Sequence, residues 1–294
     1  MRVLITGGNG FIGSEILNLL IKKKYKVLNL CRNNVIKNSY ATYYKCDLFK
    51  PNTYIKKIIN FNPEILIHLA WNGIPDFNKK NCNQNEKFSK KFIKETAKLK
   101  SIKKIIVAGS CFEIKYKKNS CSEKKLFDTN SNFTHAKYEI FKYLKKISEK
   151  KDKKYYWLRI FYAYGPNQKN NSIIPYIYHS LKKKNLIALK NPYNELDFIN
   201  KKDIARYFVK IIECKTPAGI YNVGSGKSIS IIKIFKFIKK ILNKNNSEFF
   251  SENNKKTKFY SDNYKSKKII NFNPRVNIFT GIKEQLNSFN TNDK

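Results

Sequence analysis

The sequence predicts an α/β fold with a doubly wound parallel sheet, and three observations carry that prediction. Apolar strand-like runs alternate with helical patterns through the first half. A glycine-rich turn joins the first strand to the first helix. After Gly165-Pro166 the alternation loosens and helices predominate. A βαβα rhythm places parallel strands under helices on both faces, because each crossover helix must return over the sheet.

Val3-Leu4-Ile5 reads as a short buried strand. Thr6-Gly7-Gly8-Asn9-Gly10-Phe11-Ile12-Gly13 follows at once, and Ile16, Leu17, Leu20 and Ile21 then repeat at helical spacing. Gly7 lets the chain turn tightly, Gly10 lets the backbone approach a pyrophosphate, and Gly13 lets the helix pack closely on the strand. The helix start offers free N–H groups and a positive dipole end. Strand, turn and helix together predict a dinucleotide site that includes Phe11 and Ile12. Val27-Leu28-Asn29-Leu30 is a second strand, followed by a helix near Tyr54–Asn60 and the strand Ile65-Leu66-Ile67-His68-Leu69. A helix over Glu86–Lys100 leads to Ile105-Ile106-Val107-Ala108. A helix over Thr134–Lys150 leads to Tyr156-Trp157-Leu158-Arg159-Ile160. Further helices are expected at Ile173–Lys184, Lys202–Glu213 and Ser230–Lys244, and polar Asn243–Lys256 as an exposed loop.

A hydrophobic fraction of 41% over 294 residues suffices for one large α/β unit or two domains. No apolar stretch approaches the roughly 20 residues that span a bilayer. The chain opens directly on a strand, which leaves no room for a signal peptide. Cys31, Cys46, Cys82, Cys111, Cys121 and Cys214 show neither a C-x-x-C pair nor zinc spacing. Scattered thiols suit a reducing cytoplasm and predict no metal site. A formal charge of +39 invites a nucleic-acid reading, yet among 60 basic residues only Arg2, Arg32, Arg159, Arg206 and Arg275 are arginine. Recognition of bases and phosphates favours the arginine fork. Lysine here is spread over every predicted helix, so no nucleic-acid partner is expected; the positive field instead speeds capture of anionic nucleotides.

Further motifs recur in a specific order: Asp47-Leu48, His68-Leu69-Ala70-Trp71, Ala108-Gly109-Ser110, Arg159-Ile160-Phe161-Tyr162-Ala163-Tyr164-Gly165-Pro166, Asp197-Phe198, Asp203-Ile204-Ala205, Asn222-Val223-Gly224-Ser225-Gly226 and Asn271-Phe272-Asn273-Pro274-Arg275-Val276. With the glycine turn they resemble the extended short-chain dehydrogenase/reductase superfamily, in its NAD-dependent epimerase/dehydratase branch acting on nucleotide sugars. The resemblance implies a Rossmann-like domain over residues 1–165. It also implies a smaller α/β domain mostly within 166–294 that binds a nucleoside-diphosphate sugar, with segments returning to the first. A homodimer through helices like Glu86–Lys100 and Thr134–Lys150 is implied too, although lysine-heavy faces there repel.

NAD sites usually place an acid on the ribose about twenty residues past the glycines. Here the second strand ends in Cys31-Arg32-Asn33-Asn34, without an acid. Arg32 suits a 2′-phosphate, so NADP(H) is favoured over NAD(H). By resemblance Asp47 and Leu48 meet the adenine and Leu69 and Ala70 line the cofactor. His68 reads as a packed strand histidine.

The resemblance also implies a Ser with a Tyr-x-x-x-Lys pair beside the nicotinamide, the lysine binding ribose and lowering the phenol pKa. Ser110 takes the first place. The pair falls on Phe133 and Lys137, so the lysine is present and the tyrosine is not. Candidate substitutes are Tyr138 (with Lys142), His135, Cys111, Ser110 itself and Lys137, since a desolvated lysine titrates lower. Substrate contacts are expected from Trp71, Tyr164, Asn167 and Asp197. Leu196 precedes Asp197 where the family commonly has a phosphate-gripping arginine, and Lys183, Lys184 or Lys190 are possible point-charge replacements. Cys111-Phe112 stands where dehydratases carry Asp-Glu; Glu113 lies one place late, as a structural candidate. Gly109-Ser110-Cys111-Phe112-Glu113 looks like the run found in 4-keto-6-deoxysugar reductases. The expectation is therefore C4 reduction of such a sugar for surface polysaccharide. The alternatives are a 4-epimerase, or a cofactor-binding homologue disabled at Phe133.

Overall fold

The computed structural model describes residues 1–32, 39–115, 118–183, 187–189, 191–244, 248–250 and 256–292. Along the chain run β1 (Arg2–Thr6), α1 (Phe11–Lys22), β2 (Lys26–Cys31), β3 (Ala41–Lys45), α2 (Ile55–Phe61), β4 (Ile65–His68), α3 (Lys79–Ala97) and β5 (Lys104–Ser110). Next come β6 (Asn119–Cys121), α4 (Asn132–Lys150), β7 (Lys154–Ile160), β8 (Tyr162–Tyr164), α5 (Ile173–Lys182), β9 (Ile187–Leu189), β10 (Glu195–Leu196), β11 (Phe198–Asn200) and α6 (Lys201–Glu213). The remainder holds β12 (Gly219–Val223), β13 (Ile229–Ser230), α7 (Ile231–Ile241), β14 (Glu248–Phe250), β15 (Lys258–Ser261), α8 (Tyr264–Ile270) and α9 (Ile278–Asn292).

Seven strands form one sheet in the order β12-β7-β5-β4-β1-β2-β3, every neighbouring pair parallel. Alternation along β1 explains the two covered faces. Val3 and Ile5 pack with Ile16, Leu20, Phe208 and Ile212 under α1 and α6. Leu4 points the other way, into a cluster with Leu66, Phe92, Ile105, Leu144 and Trp157 under α3 and α4. The chain leaves β1 toward β2 and β3, then returns to build β4, β5, β7 and β12 on the other side. The direction therefore reverses between β1 and β4. In such sheets the crevice outside the carboxyl ends at the reversal is where ligands bind.

The smaller unit contains the sheet β13-β10-β15-β6 and the pairs β11-β8 and β14-β9. Ile177, Leu181, Ile234, Phe235, Ile238 and Leu286 form its core. Two segments past residue 165 belong to the large sheet: β12 pairs with β7, and α6 buries Phe208 and Ile212 beside α1. Conversely, β6 leaves the first half to pair with β15.

One strand carried no signal in the sequence, and two expectations need correction. β3 is an edge strand with only Ala41 buried, so it lacks the apolar run that marks its neighbours. α3 begins at Lys79, not Glu86, because the Asn78 side chain caps it by accepting from Asn81 N. The stretch Asn243–Lys256 contains β14, while 245–247 and 251–255 lie outside the described residues, as do Asn33, Asn34, Lys184 and Lys190. No described helix is long and apolar enough to cross a membrane.

Candidate active site

The glycine turn sits at the β1/β4 reversal. Gly7 has φ +74°, and a Cβ there would lie 2.9 Å from Ala70 N. A Cβ on Gly13 would fall 2.0 Å from Gly7 O, which no side chain tolerates. Gly10 N donates to Gly7 O at 3.0 Å, closing the turn. Gly10 is also the N-cap of α1, and among the described residues no side chain caps that helix. Its first N–H groups, from Phe11 onward, remain for an anion. This closed, uncapped cradle fits a dinucleotide pyrophosphate. Strand register carries the other predicted contacts to the same edge: Thr6 lies opposite Leu30 and His68, and Cys31 opposite Lys45. Arg32 and Asp47 are exposed just past those strand ends, and Leu48, Leu69 and Ala70 are half-buried. The Arg32 guanidinium donates to Asn72 Oδ1 at 3.1 Å, so it reaches across the crevice mouth. His68 is enclosed between Thr6 Oγ1 at 2.8 Å and Ser89 Oγ at 3.0 Å. Burial lowers its pKa to about 3, so it is a neutral packing residue.

The adjacent strand, β5, brings Ser110 to its carboxyl end. Ser110 Oγ accepts from Phe112 N at 3.2 Å, which leaves its own hydrogen available to a ligand oxygen. Beneath it lies a buried carboxylate. Glu113 Oε1 accepts from Ser110 N at 2.7 Å and Oε2 from Trp157 Nε1 at 2.7 Å. The Arg159 guanidinium, fully buried, lies 3.9 Å from Oε2 and stacks on Phe127 at 4.3 Å. Burial pushes the Glu113 carboxyl up, against the lowering effect of Lys137, Trp157 and Arg159. Glu113 thus fixes the Ser110 backbone.

α4 supplies Phe133 and Lys137 four residues apart, on one helix face. Ser131 caps this helix by accepting from Thr134 N. The Phe133 ring is packed by Phe77 at 4.5 Å, Trp71 at 5.1 Å and Phe112 at 6.5 Å. Lys137 is only 9% exposed. Its Nζ donates to Ala108 O at 2.7 Å and lies 4.5 Å above the Trp71 ring. Burial lowers its pKa to about 8, opposed by the charges of Glu113 and Cys82. The Trp71 indole N–H is buried and finds no acceptor among the described residues.

The sequence profile of the NAD dependent epimerase/dehydratase family matches residues 3–224. The chain belongs to this family. It is 28% identical to the dTDP-6-deoxy-L-talose 4-dehydrogenase (NAD(+)) of Aggregatibacter actinomycetemcomitans over 79% of this chain and 87% of that one. It is 26% identical to the dTDP-4-dehydro-6-deoxyglucose reductase of Escherichia coli over 82% of each. Among solved structures it is similar in fold to the UDP-glucose 4-epimerase of Thermotoga maritima with UDP-glucose. The TM-score is 0.88 and the identity 21%, over 100% of both chains.

Against this epimerase/dehydratase frame, several predicted residues fall elsewhere. Five helical residues turn Tyr138 roughly 140° from Phe133. Its ring packs on Phe127 at 5.0 Å with Lys142 Nζ 4.8 Å above it, so it is no substitute phenol. His135 is exposed and Cys111 buried. Asp197 is fully buried and accepts from Ser225 N (2.7 Å), Ser225 Oγ (2.5 Å), Gly226 N (3.0 Å), Ser261 N (3.0 Å) and Ser261 Oγ (2.7 Å). Five donors occupy both oxygens, so Asp197 ties loops together and does not face a substrate. Tyr164 is 1% exposed, and a Cβ on Gly281 would fall 2.4 Å from its hydroxyl; it packs against α9. Asn167 is exposed with φ +64°, beyond β8, and Lys183 follows α5. Phe77 packs on the Phe133 ring although the sequence did not single it out, and Phe112, noted there only within the run after Ser110, packs on the same ring. The signal for the Phe77 loop was Asn78, Asn81 and Asn85 at helical spacing, which bind it from α3: Asn72 N donates to Asn85 Oδ1 at 2.6 Å.

Proposed function

We propose that this protein reduces a nucleoside-diphosphate 4-keto-6-deoxysugar at C4, with NADPH preferred over NADH. The observation that carries the reading is that Ser110 and the Lys137 ammonium, bonded to Ala108 O, both lie at the carboxyl end of β5, beside a Phe133 ring packed by Trp71, Phe77 and Phe112. A bound reduced nicotinamide supplies a hydride to the carbonyl carbon. Ser110 Oγ, positioned by Glu113 and Phe112 N, donates to the carbonyl oxygen and polarises it. Trp71, Phe77 and Phe133 exclude water from the reacting end. An epimerase needs a base to strip a hydroxyl proton and an acid to return it. A reductase needs only the acid. Phe133 supplies neither, and a lysine with pKa about 8 is mostly protonated at pH 7, so the site favours reduction. Similarity to the dTDP-4-dehydro-6-deoxyglucose reductase supports the same direction, and similarity to the dTDP-6-deoxy-L-talose 4-dehydrogenase (NAD(+)) supports redox chemistry at C4 of a 6-deoxysugar. Arg32, beyond β2 where an acid would serve a 2′-hydroxyl, supports the phosphate-bearing cofactor. We also propose that the chain works in the cytoplasm as a homodimer paired through α3 and α4.

The test is oxidation of NADPH and NADH by the native protein and Phe133→Tyr, with a panel of nucleotide 4-keto-6-deoxysugars and the matching 4-hydroxy sugars for epimerisation. Native turnover of a keto sugar, faster with NADPH, is expected. Turnover only by Phe133→Tyr assigns the chain as a disabled binding homologue. Interconversion of 4-hydroxy sugars without net NADPH consumption assigns it as an epimerase.

A further inference from the structure

We infer that Lys137 is the proton donor that completes the reduction, in the place a tyrosine holds in the resembled enzymes. The inference rests on the reductase reading above. The box around Phe133 contains Trp71, Phe77, Cys82 and Ala136, and none of these carries a hydroxyl. Tyr138 faces Phe127 and His135 faces solvent, so neither reaches the box. Lys137 does. One of its N–H bonds is anchored on Ala108 O at 2.7 Å, and the other two have no protein acceptor among the described residues. Ala108 and Ser110 are two apart on β5, so the ammonium held on Ala108 O and the serine hydroxyl both lie at the carboxyl end of this strand. The Trp71, Phe133 and Trp157 rings lie 4.5, 5.8 and 5.9 Å from Nζ, which holds the cation in an apolar cage.

That cage also sets the acidity. Desolvation brings Lys137 down to about 8, near the pH at which an acid is both charged and willing to give its proton. The groups that face it are Glu113 from the turn after β5, Cys82 from α3 and His68 from β4. Arg159 from β7 sits behind Glu113. His68 is neutral, and Glu113 opposes a further fall. In the step itself the carbonyl carbon gains the hydride from the dihydronicotinamide. The C=O π electrons form the new O–H bond with a proton from Lys137 Nζ. The neutral amine then regains a proton from solvent.

The experiment compares native protein with Lys137→Arg and Lys137→Ala at saturating NADPH, with NADPH affinity measured separately by its fluorescence. Arginine keeps the charge but does not give up its proton near pH 7. The expected result is a loss of about 10²–10⁴-fold in kcat for both variants, beyond any loss of NADPH affinity. Ethylammonium and its halogenated analogues should restore Lys137→Ala, faster as the amine pKa falls. The native rate should drop as pH rises through about 8, with NADPH still bound. Turnover of Lys137→Arg within a few-fold of native, or rescue indifferent to amine pKa, overturns the assignment while leaving the reductase reading intact. A native protein that binds NADPH but reduces no sugar in the panel overturns both.

Discussion

At the scale of single residues, the site is governed by which polar groups burial leaves in a usable state. His68 and Lys137 are both enclosed, yet only one is chemically available. The two ring nitrogens of His68 are held by Thr6 and Ser89, so the imidazole is structural. Its pKa of about 3 lies below its ordinary value of 6.5. The unfolded chain therefore binds a proton below pH 6.5 that the folded chain refuses, and stability falls on acidification. The cost is about 1.4 kcal/mol per pH unit, or about 2 kcal/mol between pH 6.5 and 5. Urea unfolding of native protein should show this loss, and His68→Asn should flatten it over the same window. An unchanged slope in the variant would place the acid sensitivity on other groups. The family resemblance made the missing phenol at position 133 legible, because the Tyr-x-x-x-Lys pair it implies is a local pattern. It did not expose the fate of Asp197 or Tyr164, whose partners Ser261 and Gly281 lie far along the chain.

At the scale of elements, helix ends are closed by residues remote in sequence. Lys104, at the start of β5, donates from Nζ to the carbonyl oxygens of Ile211 (3.0 Å), Ile212 (2.7 Å) and Cys214 (2.9 Å) at the end of α6. These are orphan carbonyls at the negative end of a helix dipole, and a cation there satisfies them. Burial lowers the Lys104 pKa. Lys104→Met should cost about 1–3 kcal/mol, read as a lower urea midpoint with an unchanged m-value. A neutral result would mean that water replaces the ammonium. Strands with covered faces were legible as apolar runs. β3 was not, because an edge strand with one buried residue carries no run to read.

At the scale of the whole molecule, the formal charge of +39 shapes association more than fold. On α3 and α4 part of it is neutralised. Lys90 pairs with Glu86 at 2.6 Å and Glu139 at 3.3 Å, and Lys142 pairs with Glu139 at 2.5 Å. Two such chains still repel across tens of ångströms when salt is low, since the screening length is about 30 Å at 0.01 M and about 8 Å at 0.15 M. The proposed homodimer should therefore sediment at twice the 34.6 kDa chain mass in physiological salt and loosen toward monomer in dilute buffer. Monomer at both ionic strengths would rule it out.

The sequence by itself determined the parallel sheet and the glycine turn, which are written in local spacing through period and turn chemistry, and through its family resemblance it pointed to Ser110, Lys137 and Phe133 as candidate site residues. Tertiary structure alone decided that Glu113 holds Ser110, that Lys137 lies under Trp71, that Asp197 is spent on loops and that β12 and α6 rejoin the first domain. Burial and long-range pairing set those outcomes, and neither is visible until the chain has folded back on itself.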